Sequence, residues 1–151
     1  MMNEVFNSIF EISLRTLLVL ETYGKQGLTS DMIAAIDFIT VYGKDFGISE
    51  ENLHGDNTFK FSEFAARRSS VQKAVKWLVT NGLVTISIAP NGFTYLINSR
   101  GSDYCAKFNN EYAVAYMTLM QKTQEFISQK SEREVIELIN RHSVYSVTPK
   151  I

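Results

Sequence analysis

Residues 59–98 read FKFSEFAARRSSVQKAVKWLVTNGLVTISIAPNGFTYLIN, and their punctuation decides the fold. Phe59-Lys60-Phe61 reads as a short extended stretch, and Ser62 can cap a short helix over Glu63–Ala66. Arg67-Arg68-Ser69 reads as a turn, after which Ser69 or Ser70 caps a second helix running to about Thr80. Val71, Ala74, Val75 and Leu78 give that helix an inward stripe, and Trp77 broadens its buried edge. Asn81-Gly82 is a stop, because glycine takes positive φ after a helix without a Cβ clash. Leu83 to Ile88 then reads as a strand, with Val84, Ile86 and Ile88 on one side; Pro90-Asn91-Gly92 turns the chain, and Phe93 to Ile97 returns as a second strand. A short helix, a tight turn, an amphipathic helix and a two-strand wing make the winged-helix pattern.

Upstream, Phe6, Ile9, Phe10, Ser13, Leu17 and Leu20 recur at helical spacing within about Asn3–Tyr23. Val5, Ile12, Leu14 and Leu18 widen the apolar face, so this helix needs cover on two sides. Glu11 and Arg15 interrupt the run, which makes it a core helix and not a membrane span. Thr29, Ser30 and Asp31 are N-cap candidates for a second helix carrying Met32, Ile33, Ile36, Ile39 and Tyr42 and ending near Gly43. Asp37, four residues after Ile33, is read as a carboxylate at the rim of that face; the alternative is a buried partner for an arginine. Residues 44–58 read as a loop pinned by Phe46, Ile48 and Leu53. His54 beside Asp56 invites a metal or acid–base reading, but the other histidine is distant His142 and no ligand spacing accompanies it; a turn around Gly55 is the preferred reading.

Downstream, Cys105, Phe108, Tyr112, Ala115 or Tyr116, Leu119 and Phe126 predict one helix over 102–129, about 40 Å long. Ser131-x-x-Glu134 is a capping box for a last helix through Asn140. The tail from Ser143 reads as extended. The predicted fold class is therefore mostly α with a small β-hairpin (α+β). A winged-helix core, 59–98, is flanked by an N-terminal helical part with its loop, 1–58, and by the long C-terminal helix and tail, 99–151, in one compact domain.

Composition narrows the function. The chain is 45% hydrophobic with 2 prolines and one cysteine, Cys105, which excludes disorder, an internal disulfide and a cysteine metal site. The N-terminus lacks a basic segment and a cleavage signature, so a soluble, cytoplasmic chain with no membrane partner is expected. Net charge is −1, but residues 1–59 carry nine acids and three bases, and residues 60–108 seven bases and two acids. Such asymmetry predicts an acidic and a basic surface, and so two partners. No nucleophile–base pair, paired carboxylates or glycine-rich phosphate loop is present, so neither catalysis nor a cofactor is expected.

The constellation with chemistry is basic. Ser69, Gln72, Lys73 and Lys76 share the outer face of the second winged-helix helix, Arg67 and Arg68 stand at its entrance, and Lys60 precedes them. Cations there suit backbone phosphates, and Ser69 and Gln72 suit base edges. The alternative is a solvated face with Arg67 or Arg68 paired to acids of the N-terminal half. Winged helices also serve as protein-interaction modules. The wing 88–93 carries no Lys or Arg, which favours non-specific contact with double-stranded DNA inside a larger assembly over sequence reading. Candidate partner contacts are Phe6 and Phe10 on the first helix and Tyr112, Tyr116 and Leu119 on the long one.

Four strings carry a family resemblance: LTSDMIAAIDFI at 28–39, YGKDFGI at 42–48, NLHGDN at 52–57 and FSEF at 61–64. Within about 3–116 the chain resembles the middle component of bacterial three-component ABC-ATPase conflict systems, among which Lamassu-type anti-phage systems are best known. The resemblance implies a small non-catalytic subunit joining an SMC-like coiled-coil ATPase to an effector nuclease. It transfers no site residue. The alternative function is a stand-alone homodimeric winged-helix transcription regulator.

Overall fold

The computed structural model describes residues 8–55, 63–90 and 92–142, and the helical backbone of 143–147. Helix α1 is Ile9–Tyr23. The Ser8 hydroxyl accepts from the Glu11 amide at 3.2 Å, satisfying one orphan donor of its first turn. Helix α2, Ser30–Val41, starts the same way, with the Thr29 hydroxyl accepting from the Met32 amide at 3.1 Å. Every residue from Ile33 to Val41 is buried, so α2 is covered all round and sits at the centre. Helices α1, α3 (Glu63–Thr80), α5 (Glu111–Phe126) and α6 (Glu132–Val147) pack around it. The Phe38 ring stands 5.0 Å from that of Tyr42 and 5.4 Å from that of Phe64. Truncating it to alanine would cost about 3–5 kcal/mol in lost burial and cavity.

One hydrophobic cluster extends from Ile12 in α1 to Ile139 in α6. The loop after α2 is tied to it: a 3₁₀ turn, Gly43–Phe46, buries Phe46, while Ile48 and Leu53 are half-buried against the core. The Asp56–Asn57 half of the expected turn lies outside the described residues.

The expected break at Arg67-Arg68-Ser69 is absent, because α3 is one continuous helix from Glu63 to Thr80. Ser69 and Ser70 are interior residues and not caps. The helix runs through because Phe64, Arg67, Val71, Ala74, Val75 and Leu78 form one buried stripe across the supposed turn.

After Gly82, whose φ is 74°, strands β1 (Val84–Ala89) and β2 (Gly92–Ile97) pair antiparallel. Val84 faces Ile97, Ile86 faces Tyr95 and Ile88 faces Phe93. Leu28 adds a single bridge on the other side of β2: its amide donates to the Tyr95 carbonyl at 3.1 Å, and the Tyr95 amide donates back at 2.8 Å. Gly27 permits this approach, since a Cβ there would lie 2.9 Å from Thr94 Oγ1.

The predicted helix over 102–129 is two. Helix α4, Ser99–Cys105, stops, and α5 restarts at Glu111 with the Asn110 side chain accepting from the Ala113 amide at 2.8 Å. A side chain that bonds its own backbone competes with helix continuation. The Ser131–Glu134 capping box forms reciprocally, at 3.1 and 3.2 Å. The tail expected to be extended continues α6 to Val147, because each residue added to a nucleated helix gains a hydrogen bond.

Candidate functional site

The strongest electrostatics lie inside. Asp37, 3% exposed, is gripped from three helices. Arg15 of α1 donates to its Oδ1 at 2.8 Å and its Oδ2 at 3.3 Å, and Arg67 of α3 donates to Oδ2 at 2.7 Å. The Tyr116 hydroxyl of α5 donates to Oδ1 at 2.5 Å. Arg67 also lies 3.7 Å from the Glu63 carboxylate, which accepts from the Tyr42 hydroxyl at 2.8 Å. Two cations therefore meet two anions, and the Arg67 guanidinium stacks 5.7 Å over the Phe38 ring. The reading of Asp37 as a rim carboxylate is thus corrected: it is the buried partner of two arginines. A helix face occupied on every side leaves a charge nowhere to go but into a pair.

Burial alone would raise the Asp37 carboxyl, but Arg15 and Arg67 outweigh it and hold it well below the usual carboxylate range. Burial works against the Arg15 charge too, and Asp37 more than restores it, so its pKa is raised. His54 Nε2 and the Tyr112 hydroxyl are 2.6 Å apart, with their rings stacked. Burial, with help from Arg15, pushes His54 down to about 3, so it is neutral at ordinary pH. This cluster holds α1, α2, α3 and α5 together. It is an internal scaffold. Among the described residues no group of His, Cys, Asp and Glu is placed to hold a metal.

The cluster decides what the outer face of α3 presents. Arg67 is 4% exposed and spent inside. Arg68 forms a two-pronged pair with Asp31, at 3.1 and 2.8 Å, on the α2 side. Lys60 lies outside the described residues. Ser69, Gln72, Lys73 and Lys76 remain exposed, and neither lysine has an ion-pair partner among the described residues.

Beside them the hairpin is apolar. Ile88 is 82% exposed, Phe93 57% and Ile86 44%. Cross-strand partners share a face, so Ile86, Tyr95, Ile88 and Phe93 line one side of the wing. A groove of about 560 Å³ lies between this side and the Gln72–Lys76–Val79 edge of α3, closed by Thr29, Asp31 and Glu132. Composition and alternation exposed this signal in part: a wing without cations but with isoleucine at its tip.

The expected partner contacts scatter. Phe6 lies outside the described residues, and Phe10 is 57% exposed. Tyr112 and Leu119 are half-buried, and Tyr116 is fully buried on Asp37. Among the described residues no helix is long and apolar enough to cross a membrane.

Comparison with known proteins adds one match. The family model described as ABC-three component (ABC-3C) system Middle Component 2 matches residues 5–148. No curated protein and no solved structure matches.

Proposed function

Because the chain belongs to the Middle Component 2 family of ABC-three component systems, an accessory part of a multi-component defence system, we propose that it is a non-catalytic bridge between an SMC-like ATPase and an effector nuclease. The observation that carries this reading is the family match over residues 5–148. An exposed apolar wing beside Lys73 and Lys76, which have no ion-pair partner among the described residues, supports it, since such a surface on a small chain marks a partner site.

We read α1, α2, α3 and the hairpin as a winged helix wider than residues 59–98. In this reading the Leu28 bridge is its reduced first strand, α3 its third helix and 84–97 its wing. Direct contact with DNA would rest on Lys73 and Lys76, with Lys60 unassigned. Two neutralised phosphates give little affinity, so we assign DNA gripping to the assembled complex.

Co-expression with the other two components of its own system is expected to yield one co-eluting complex containing the ATPase. A protein that purifies alone as a monomer, and captures neither component, would overturn the bridging role.

A further inference from the structure

We infer that the free edge of β1 pairs with the same edge of a second copy of this chain, joining two hairpins into one four-stranded antiparallel sheet; this does not rest on the bridging role. The backbone supplies the first observation. Tyr95 spends both its amide and its carbonyl on Leu28, so both point away from β1. Its cross-strand partner Ile86 therefore occupies a non-hydrogen-bonded site of the hairpin, and its own amide and carbonyl point away from β2. The ladder repeats every two residues, so the amide and carbonyl of Ile88 do the same. Among the described residues no other strand or loop takes up these four groups.

The stretch is open on both faces as well, since Thr85, Ile86, Ser87 and Ile88 are all exposed. Edges that stay single are guarded by a lysine, a bulge or an inward charge. The edge of β1 has none of these. Residues 83–98 hold no charged side chain, and the register runs unbroken from Val84–Ile97 to Ala89–Gly92.

The order of residues along the edge selects the occupant. Residues 86–88 read Ile-Ser-Ile, the same in either direction. Two identical strands paired antiparallel are related by a two-fold axis. With that axis at Ser87, Ile86 of each copy faces Ile88 of the other, and their outward amides and carbonyls satisfy one another. Ser87 faces its own equivalent at a non-hydrogen-bonded site, where Cα atoms approach to about 4.5 Å and two hydroxyls can bond each other. The axis is normal to the sheet, so Ile86 and Ile88 of both copies lie on one face, continuous with Phe93 and Tyr95. Pro90 falls opposite Val84 in this register and, having no amide hydrogen, ends the ladder.

Other occupants lack such a match. A phosphate backbone finds no cation in the hairpin. A helix satisfies its own backbone groups and leaves those of Ile86 and Ile88 open. A strand of another protein finds no charge on this edge to select it, and gains nothing from the symmetry of residues 86–88.

The test is the mass of the full chain by sedimentation across a micromolar-to-millimolar series. Wild type should pass from one copy to two. Ser87→Lys sets two like charges against each other at the axis. Ile88→Pro removes only an amide that points outward, so the β1–β2 ladder survives. Each should raise the concentration of half-dimerisation by about tenfold or more, with an unchanged far-ultraviolet circular dichroism spectrum as the check on folding. Ser87→Cys should cross-link into a dimer on mild oxidation, because its equivalent lies within disulfide reach. Thr85→Cys should not, because its equivalent lies about 14 Å away along the ladder. Wild type is the control for the native thiol, since Cys105 is buried.

Wild type that remains a single copy throughout the series overturns the proposal. A dimer that both Ser87→Lys and Ile88→Pro leave intact places self-association elsewhere and also overturns it. Cross-linking of Thr85→Cys as readily as Ser87→Cys overturns the pairing centred on Ser87. Single-copy wild type whose capture of a component of its own system is lost in both edge variants makes the edge a site for a partner's strand, and overturns the second copy as its occupant.

Discussion

Arg67 Nη1 lies 2.7 Å from Asp37 Oδ2, and the two side chains are 3% and 4% exposed. This contact joins α3 to the central helix and removes from the outer surface the arginine that chain order places at its basic entrance. Everything the outer face of α3 does follows from that withdrawal.

Removing the anion should be costly. Asp37→Ala or Asp37→Asn leaves two buried guanidinium groups without their shared carboxylate, and either should destabilise by about 3–5 kcal/mol. Urea unfolding followed by circular dichroism measures it. A loss below about 1 kcal/mol would mean that the cluster relaxes to water and is no scaffold.

The adjacent arginine provides the contrast. Arg68 pairs with Asp31 at 42% and 31% side-chain exposure. Arg68→Ala should therefore cost about 0–1 kcal/mol, while Arg67→Ala costs several-fold more. Equal losses at the two neighbours would contradict the burial difference.

Stability should fall on acidification before ordinary carboxylates titrate. His54 has an ordinary pKa of 6.5 and is pushed down to about 3 in the fold, so the unfolded chain takes up its proton first. Its contribution is fully present above pH about 6.5 and is lost as pH falls towards about 3. Asp37, held lower still, adds its own loss only below its ordinary value of 3.8. Melting temperature against pH should slope through the upper window in wild type, and His54→Gln should flatten that slope. An unchanged slope in the variant would place the proton uptake elsewhere.

For the isolated chain on random duplex DNA, log affinity against log salt should have a slope no steeper than about −2 if Lys73 and Lys76, which have no ion-pair partner among the described residues, make its phosphate contacts. A steeper slope, reduced by Arg68→Ala, would show that the Asp31 pair opens to phosphate.

Local signals were legible in the chain, and long-range ones were not. Asn81-Gly82, Ser131-x-x-Glu134 and the alternation of 84–88 act within a few residues, and each lies where its chemistry puts it. Ser69 and Ser70 carry the same capping chemistry, yet they sit inside α3, because a buried stripe crossing them outweighs a local cap. The stop before Asn110 hides behind apolar spacing that continues through it. The ion cluster was visible only as alternatives, Asp37 as a buried partner for an arginine and Arg67 or Arg68 paired to acids of the N-terminal half. The partnership of Asp37 with Arg15 and Arg67 spans 22 and 30 residues, and no local pattern encodes it. The exposure of the wing could not be read from alternation either, since Val84 and Ile88 share a face but only the first reaches the core.

The bridging role is tested most directly by mixing the ATPase and effector components with and without this chain and weighing the products by mass photometry. The account predicts a three-component particle only when the chain is present, and two separate components in its absence. ATPase and effector associating equally well without the chain would contradict it.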